Sequence, residues 1–215
     1  MVRHASRGGQ RHARGGLAMT FRLGLTGSIG MGKSTTARMF AEAGCAVWDA
    51  DAAVHRLYCE GGAAVAPIAE AFPDAIRYGM VCRDALKTII RRDPEALSRI
   101  EAIVHPLVAQ DRADFLKTQT ADVTVLDIPL LFETGIDRQL DATVTVTTSP
   151  ERQKARVMAR GTMTEDQIAA ILAKQMPDAD KRARADYVIE TDTLEHAREQ
   201  VQAVLKDIER TGRHA

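Results

Sequence analysis

Gly27-Ser28-Ile29-Gly30-Met31-Gly32-Lys33-Ser34-Thr35 decides the fold. Its spacing is G-x-x-x-x-G-K-S/T, and its neighbours supply the context that the pattern needs. Phe21-Arg22-Leu23-Gly24-Leu25 before it reads as a buried strand. Thr35 to Ala43 after it reads as a helix that stops at Gly44, a residue suited to a helix C-terminus. Glycines let backbone N–H groups curl around phosphate oxygens without Cβ clashes, and the helix N-terminus adds partial positive charge. Lys33 is placed to reach β- and γ-phosphates, and the Ser34 hydroxyl to ligate Mg²⁺. The loop predicts a nucleoside triphosphate; it does not name an acceptor.

Outward from the loop, strand-like and helix-like segments alternate. Ala46-Val47-Trp48 is a short strand ending at Asp49, and residues 51 to 59 look helical. An all-helical stretch is expected from about 62 to 119. In it Asp93-Pro94 reads as a helix start, Leu97, Ile100, Val104, Leu107 and Val108 recur at helical spacing, and Pro106 predicts a kink or a lost backbone bond. Val123 to Leu126 and Ala142 to Thr147 are strand-like. Ser149-Pro150-Glu151 opens a helix to about Arg160, Gly161-Thr162-Met163 breaks it, and Thr164-x-x-Gln167 caps the next. Tyr187-Val188-Ile189 is a final strand. Leu194, Ala197, Val201, Val204, Leu205 and Ile208 stripe a closing helix. This order predicts an α/β fold: a parallel sheet of the P-loop NTPase type, covered by helices on both faces. The expected organisation is one domain over 21–212, with a nucleotide core (21–58, 121–150 and 185–212), an inserted helical subdomain near 60–120 and a helical lid near 152–175.

The chain has 215 residues, with 29 Lys plus Arg against 29 Asp plus Glu. A net charge of zero argues against a nucleic-acid binder and a polybasic membrane-surface protein. No apolar run approaches the ~18–20 residues of a membrane span. Three cysteines without a C-x-x-C pair argue against a disulfide framework or a zinc site, and a reducing cytoplasm is the simplest setting. The zero is uneven. Residues 1–20 carry Arg3, Arg7, Arg11 and Arg14 and no acid, so the remainder holds 25 basic against 29 acidic residues. This Gly-rich segment is read as a disordered tail, either dispensable before Met19 or an arm for an anionic partner. Nothing in the sequence sets the oligomeric state.

Several residues beyond the loop are candidates for chemistry. Asp49-Ala50-Asp51 lies where a strand ends, the edge at which open parallel sheets bind ligands. Asp51 there can take a proton from an attacking hydroxyl, or can simply cap the following helix. His55 and Arg56, one turn on, suit a charged acceptor or a solvated face. His105, before Pro106, reads as a core histidine at a kink or as part of an acceptor site. Asp127 ends a strand and suits the magnesium side of a triphosphate, or a turn before Pro129. Glu133 is read as capping or pairing locally. Arg152, Arg156 and Arg160 share one helix face, either solvated or turned toward a triphosphate.

GLTGSIGMGKST followed by DADAAVHRL resembles the dephospho-coenzyme A kinase family. IEAIVHPLV, DIPLLFE, SPERQKARVMAR with TEDQIAAILAKQ, and ADYVI extend the resemblance in order across about residues 21 to 208. The resemblance implies ATP and Mg²⁺ as cofactors and dephospho-coenzyme A as acceptor, phosphorylated on its ribose 3′-hydroxyl. It makes Asp51 the catalytic base, keeps Lys33 and Ser34 in their phosphate and magnesium roles, and makes Arg156 and Arg160 lid arginines. It brings His105 and Arg83 to the acceptor side. The sequence departs from the family at Tyr78-Gly79, where an acidic residue usually precedes the glycine, and at Glu190-Thr191-Asp192, where an Asn-rich turn is common. The rival readings are a nucleoside or nucleotide monophosphate kinase and a nucleotide-sensing module without turnover.

Overall fold

The computed structural model describes residues 20–159, 161 and 165–212. The expected tail, Arg160 and the Thr164 cap lie outside the described residues.

Five strands form one sheet: β1 (Phe21–Thr26), β2 (Ala46–Asp49), β5 (Val123–Asp127), β6 (Ala142–Thr147) and β7 (Tyr187–Glu190), in the order β2-β5-β1-β6-β7. β1 is central and pairs in parallel with β5 (Leu25 opposite Asp127) and β6 (Thr26 opposite Thr145). Leu23 through Thr26 are all buried, as expected for a strand covered on both faces rather than one. The chain order reverses across β1, since β2 and β5 lie on one side and β6 and β7 on the other. The turn after β1 therefore opens at the crevice where such sheets bind ligands.

Helix α1 (Lys33–Glu42) follows that turn, and α9 (Leu194–Gly212) closes the fold. Phe40 of α1 and Ala197, Val201, Val204 and Ile208 of α9 share a core with Leu23, Leu25, Val125, Val144, Val146 and Ile189. Leu194, expected in that stripe, is exposed instead, because α9 begins with it and its side chain lies outside the packed face. Helices α6 (Pro150–Ala159), α7 (Glu165–Lys174) and α8 (Asp178–Arg184) come between β6 and β7. Pro150 opens α6 as expected, with the Arg152 N–H donating to Ser149 Oγ at 3.3 Å. α8 was not foreseen in the sequence reading.

Residues 48–119 form a second compact unit, distinct from the sheet unit of 20–47 and 120–212. The division falls inside β2, so Asp49, Asp51 and α2 (Ala50–Tyr58) belong with the second unit, whereas the sequence reading drew the core to 58. This unit also holds α3 (Val65–Ala71), α4 (Arg83–Arg92) and α5 (Ala96–Thr118), and its own core of Leu57, Ile68, Phe72, Val81, Leu86, Ile100 and Val104.

Two expectations for this unit are corrected. It is not all helical: β3 (Ile76–Arg77) and β4 (Met80–Val81) pair antiparallel, with Ile76 opposite Val81. Tyr78 (φ 52°) and Gly79 (φ 73°) both take the left-handed conformation that a two-residue hairpin requires. These strands are too short to show a period. The helix expected at Asp93-Pro94 starts at Ala96, because the Asp93 carboxylate accepts from the Glu95 N–H (2.9 Å) and holds a turn first. Pro106, where a kink or a lost backbone bond is expected, lies inside α5.

Candidate active site

The phosphate loop folds back on itself through the Met31 N–H, which donates to the Ser28 carbonyl (3.1 Å). Gly30 (φ 79°) and Gly32 (φ 95°) are left-handed. A Cβ at Gly30 would lie 2.6 Å from Val157 Cγ2 and 3.0 Å from the Gln153 carbonyl. Both strain and collision thus forbid a side chain. Gly30→Ala is expected to weaken ATP binding about tenfold or more by displacing the loop, since the left-handed backbone alone costs about 1–2 kcal/mol. A nucleotide-binding titration checks this.

Lys33 and Ser34 form the first turn of α1, so the lysine leaves the loop at the helix's positive end. Lys33 Nζ donates to Asp127 Oδ1 at 2.5 Å, and the Asp127 side chain is 1% exposed. The pair spans 94 residues and is set by the β1–β5 register, which brings the end of β5 beside the loop. Asp127 is therefore part of the site rather than an isolated turn residue. Ser34 is exposed on the same turn.

α6 lies directly on the loop. Gln153 Nε2 donates to the Ile29 carbonyl (2.8 Å), and Val157 fills the space above Gly30. Arg156 donates from Nη1 to Thr191 Oγ1 (2.8 Å) and from Nη2 to the Thr191 carbonyl (2.5 Å). Arg152 is exposed. The first two turns of the segment expected as a lid are thus fastened to the phosphate loop. Glu133 is paired, though not locally: it accepts from the Met176 N–H (2.8 Å), 43 positions on, and meets the buried Lys181 at 3.0 Å. Burial alone would raise the Glu133 carboxyl, but those hydrogen bonds outweigh it and hold it below its ordinary value.

In the second unit, the helix-capping alternative for Asp51 is corrected, because Asp49 takes that place. Asp49 is the N-cap of α2, accepting from the Ala52 N–H at 2.9 Å, and Asp51 is exposed one step inside the first turn. The Asp51 carboxylate is not used for capping. Arg56 is drawn to Asp111 of α5 (Nη2 to Oδ1 2.7 Å), which also accepts from the buried Trp48 indole at 2.7 Å. Burial would raise the Asp111 carboxyl, yet the hydrogen bonds from Arg56 and Trp48 hold it below its ordinary value. Arg56 therefore fastens α2 to α5. His105 is exposed, which removes its reading as a core histidine.

His55 and Arg83, separated by 28 positions, line one cavity of about 540 Å³ with Tyr58, Arg77, Tyr78 and Met80. Arg83 lies over the Tyr58 ring, 5.8 Å from its centroid. The lining joins two guanidiniums to aromatic and apolar surface, a combination suited to an anionic ligand with an apolar arm. Neither Arg56 nor His105 lines it. The sequence reading missed Arg77 and Tyr58, because only the unforeseen β3–β4 hairpin brings Arg77 and Met80 opposite α2. It also missed Gln153 as a loop contact. Thr191 had one signal, its place in an atypical turn.

A family model described as dephospho-CoA kinase matches residues 21–196. The chain belongs to the dephospho-CoA kinase family. A dephospho-CoA kinase of Ruegeria pomeroyi is 66% identical over 197 residues, covering 92% of this chain and 100% of that protein. Another, from Cereibacter sphaeroides, is 59% identical over 191 residues, covering 89% and 97%. A crystal structure of a Thermus thermophilus protein matches with TM-score 0.78 at 35% identity, covering 87% of this chain and 97% of that one. The chain is thus an enzyme of a kinase family, and the expected P-loop α/β fold is the one it has. Among the described residues, no helix is long and apolar enough to cross a membrane.

Proposed function

We propose that this chain transfers the γ-phosphoryl group of ATP to the ribose 3′-hydroxyl of dephospho-coenzyme A, giving coenzyme A and ADP. The observation that carries the reading is the Lys33–Asp127 pair at the mouth of a glycine loop in a chain of this family. In this reading Gly27 to Thr35 cradle the phosphates through backbone N–H groups. Lys33 exchanges part of its contact with Asp127 for the β- and γ-phosphate oxygens. Arg156 meets the charge that spreads over the γ-phosphoryl during transfer. Asp51 orients the acceptor hydroxyl and takes its proton late in the reaction. The Tyr58–Arg83 cavity takes the acceptor, with Arg77 and Arg83 toward its diphosphate and Tyr58 and Met80 along its pantetheine arm.

The donor set suits magnesium. The Ser34 hydroxyl and the Asp127 carboxylate are hard oxygen ligands, and a site with so few protein ligands fits an ion held mainly by phosphates and water. When bound, the ion would neutralise negative charge on the phosphate oxygens. The three cysteines are free thiols, which suits a reducing compartment, and we place the reaction in the cytoplasm.

The test is ADP release, coupled to a dehydrogenase readout, with dephospho-coenzyme A, AMP, CMP and nucleosides as acceptors. Turnover is expected with the first alone. Turnover with a nucleotide or nucleoside and none with dephospho-coenzyme A would replace this reading with that of another small-molecule kinase.

A further inference from the structure

Thr191 follows β7 and is buried. Its N–H donates to the Thr147 carbonyl at 2.8 Å, continuing the β6–β7 pairing by one residue. Its side chain does something the strand does not require. The hydroxyl lies 2.7 Å from the Met31 carbonyl in the phosphate loop and 2.8 Å from Arg156 Nη1. A hydroxyl has one proton and two acceptor sites. The guanidinium can only donate and a carbonyl can only accept, so the hydroxyl receives the Arg156 N–H and gives its proton to a carbonyl: Met31 at 2.7 Å is the shorter contact, and Thr147 stands at 3.2 Å. The Thr191 carbonyl accepts the second guanidinium hydrogen bond at 2.5 Å. Both contacts of Arg156 thus go to one residue, which fixes the guanidinium plane as well as its position. A Cβ at Gly32 would stand 3.0 Å from the same hydroxyl, so Thr191 is also packed on the loop itself.

We infer that Thr191 is a positioning residue for phosphoryl transfer: its hydroxyl ties Arg156 to the phosphate loop, so that loop and arginine present themselves to a triphosphate as one preset unit. This rests on the proposed role of Arg156 at the γ-phosphoryl. A guanidinium held on a flexible stem would have to be ordered during the reaction, and the tie removes part of that cost beforehand. The role belongs to the hydroxyl and not to the strand contact, which any residue with an N–H would make.

The experiment compares Thr191→Val, Thr191→Ser, Arg156→Ala and the Thr191→Val/Arg156→Ala double variant in the full chain, with steady-state kinetics and thermal unfolding of each. Thr191→Val keeps the shape and loses the hydroxyl. It is expected to lower kcat about tenfold or more, with the KM for dephospho-coenzyme A little changed. Thr191→Ser restores the hydroxyl and is expected to recover most of the lost turnover. If Thr191 acts through Arg156, the valine substitution costs little once the arginine is gone, and the two losses are far from multiplicative. Fully multiplicative losses, or wild-type kcat in Thr191→Val, would overturn the inference while leaving Arg156 in its role. Unchanged turnover in Arg156→Ala would instead overturn the reading of the arginine, and the inference with it. A Thr191→Val that fails to fold leaves the serine variant decisive beside Thr191→Ala: equal turnover in these two would sink the idea.

Discussion

Asp51→Asn is expected to lower turnover by about 10²-fold or more while ATP affinity changes little, because a general base contributes roughly 10²–10⁴ in rate. The substitution keeps the shape and removes the negative charge together with the capacity to take a proton. The structure makes it a clean test. Helix α2 is capped by Asp49 through the Ala52 N–H, so replacing Asp51 leaves the cap in place. What Asp51 gives the fold is a carboxylate in the first turn, worth about 0.3–1 kcal/mol against the helix dipole. Thermal unfolding should therefore barely move while kcat collapses. Near-normal kcat, measured by ADP release at saturating ATP and acceptor, would remove Asp51 from the chemistry and leave it as a dipole partner. Equal losses in kcat and in ATP binding would argue that the variant disturbs the loop instead.

Arg156→Ala is the second large effect, expected to lower kcat on the order of 10³-fold, with the acceptor KM altered far less. An arginine facing the transferring group counts most in the transition state, where negative charge is spread over three oxygens. Arg156→Lys is not expected to rescue it, since an ammonium cannot make two directed hydrogen bonds from one plane. The arginine also has a resting role, holding Thr191 by both Nη atoms. Part of any loss could come from loosened packing of α6. Comparing ATP affinity by titration separates the two: unchanged affinity with lost turnover places Arg156 in the transition state. A rise in acceptor KM at normal kcat would move it to the acceptor side.

Sequence alone was enough for the phosphate loop with Lys33 and Ser34 in it, and for the alternation of strands and helices. These depend on short-range rules. Glycines at fixed offsets, proline after serine at the start of α6, and β-branched runs such as Ala142 to Thr147 act within a few residues, and so appear in the order of the letters. The family resemblance likewise rests on motifs in order. The sequence could not choose between a capping role and a free carboxylate for Asp51. Two aspartates stand two positions apart, and only the backbone dihedrals at the end of β2 decide which N–H each faces. It called the middle unit all helical, because a hairpin with two-residue strands leaves no period to read.

What only the tertiary structure decided lies at long separation. Lys33 meets Asp127 across 94 residues, Arg156 meets Thr191 across 35, and Thr191 meets Met31 across 160. Those partners follow from strand order and register in the sheet. A one-residue slip in register would leave the local sequence unchanged and turn every side chain of the strand to the opposite face. Local patterns therefore name the phosphate loop, but hydrogen bonds formed only when β5, β6 and β7 take their places around β1 determine which arginine is tied to it.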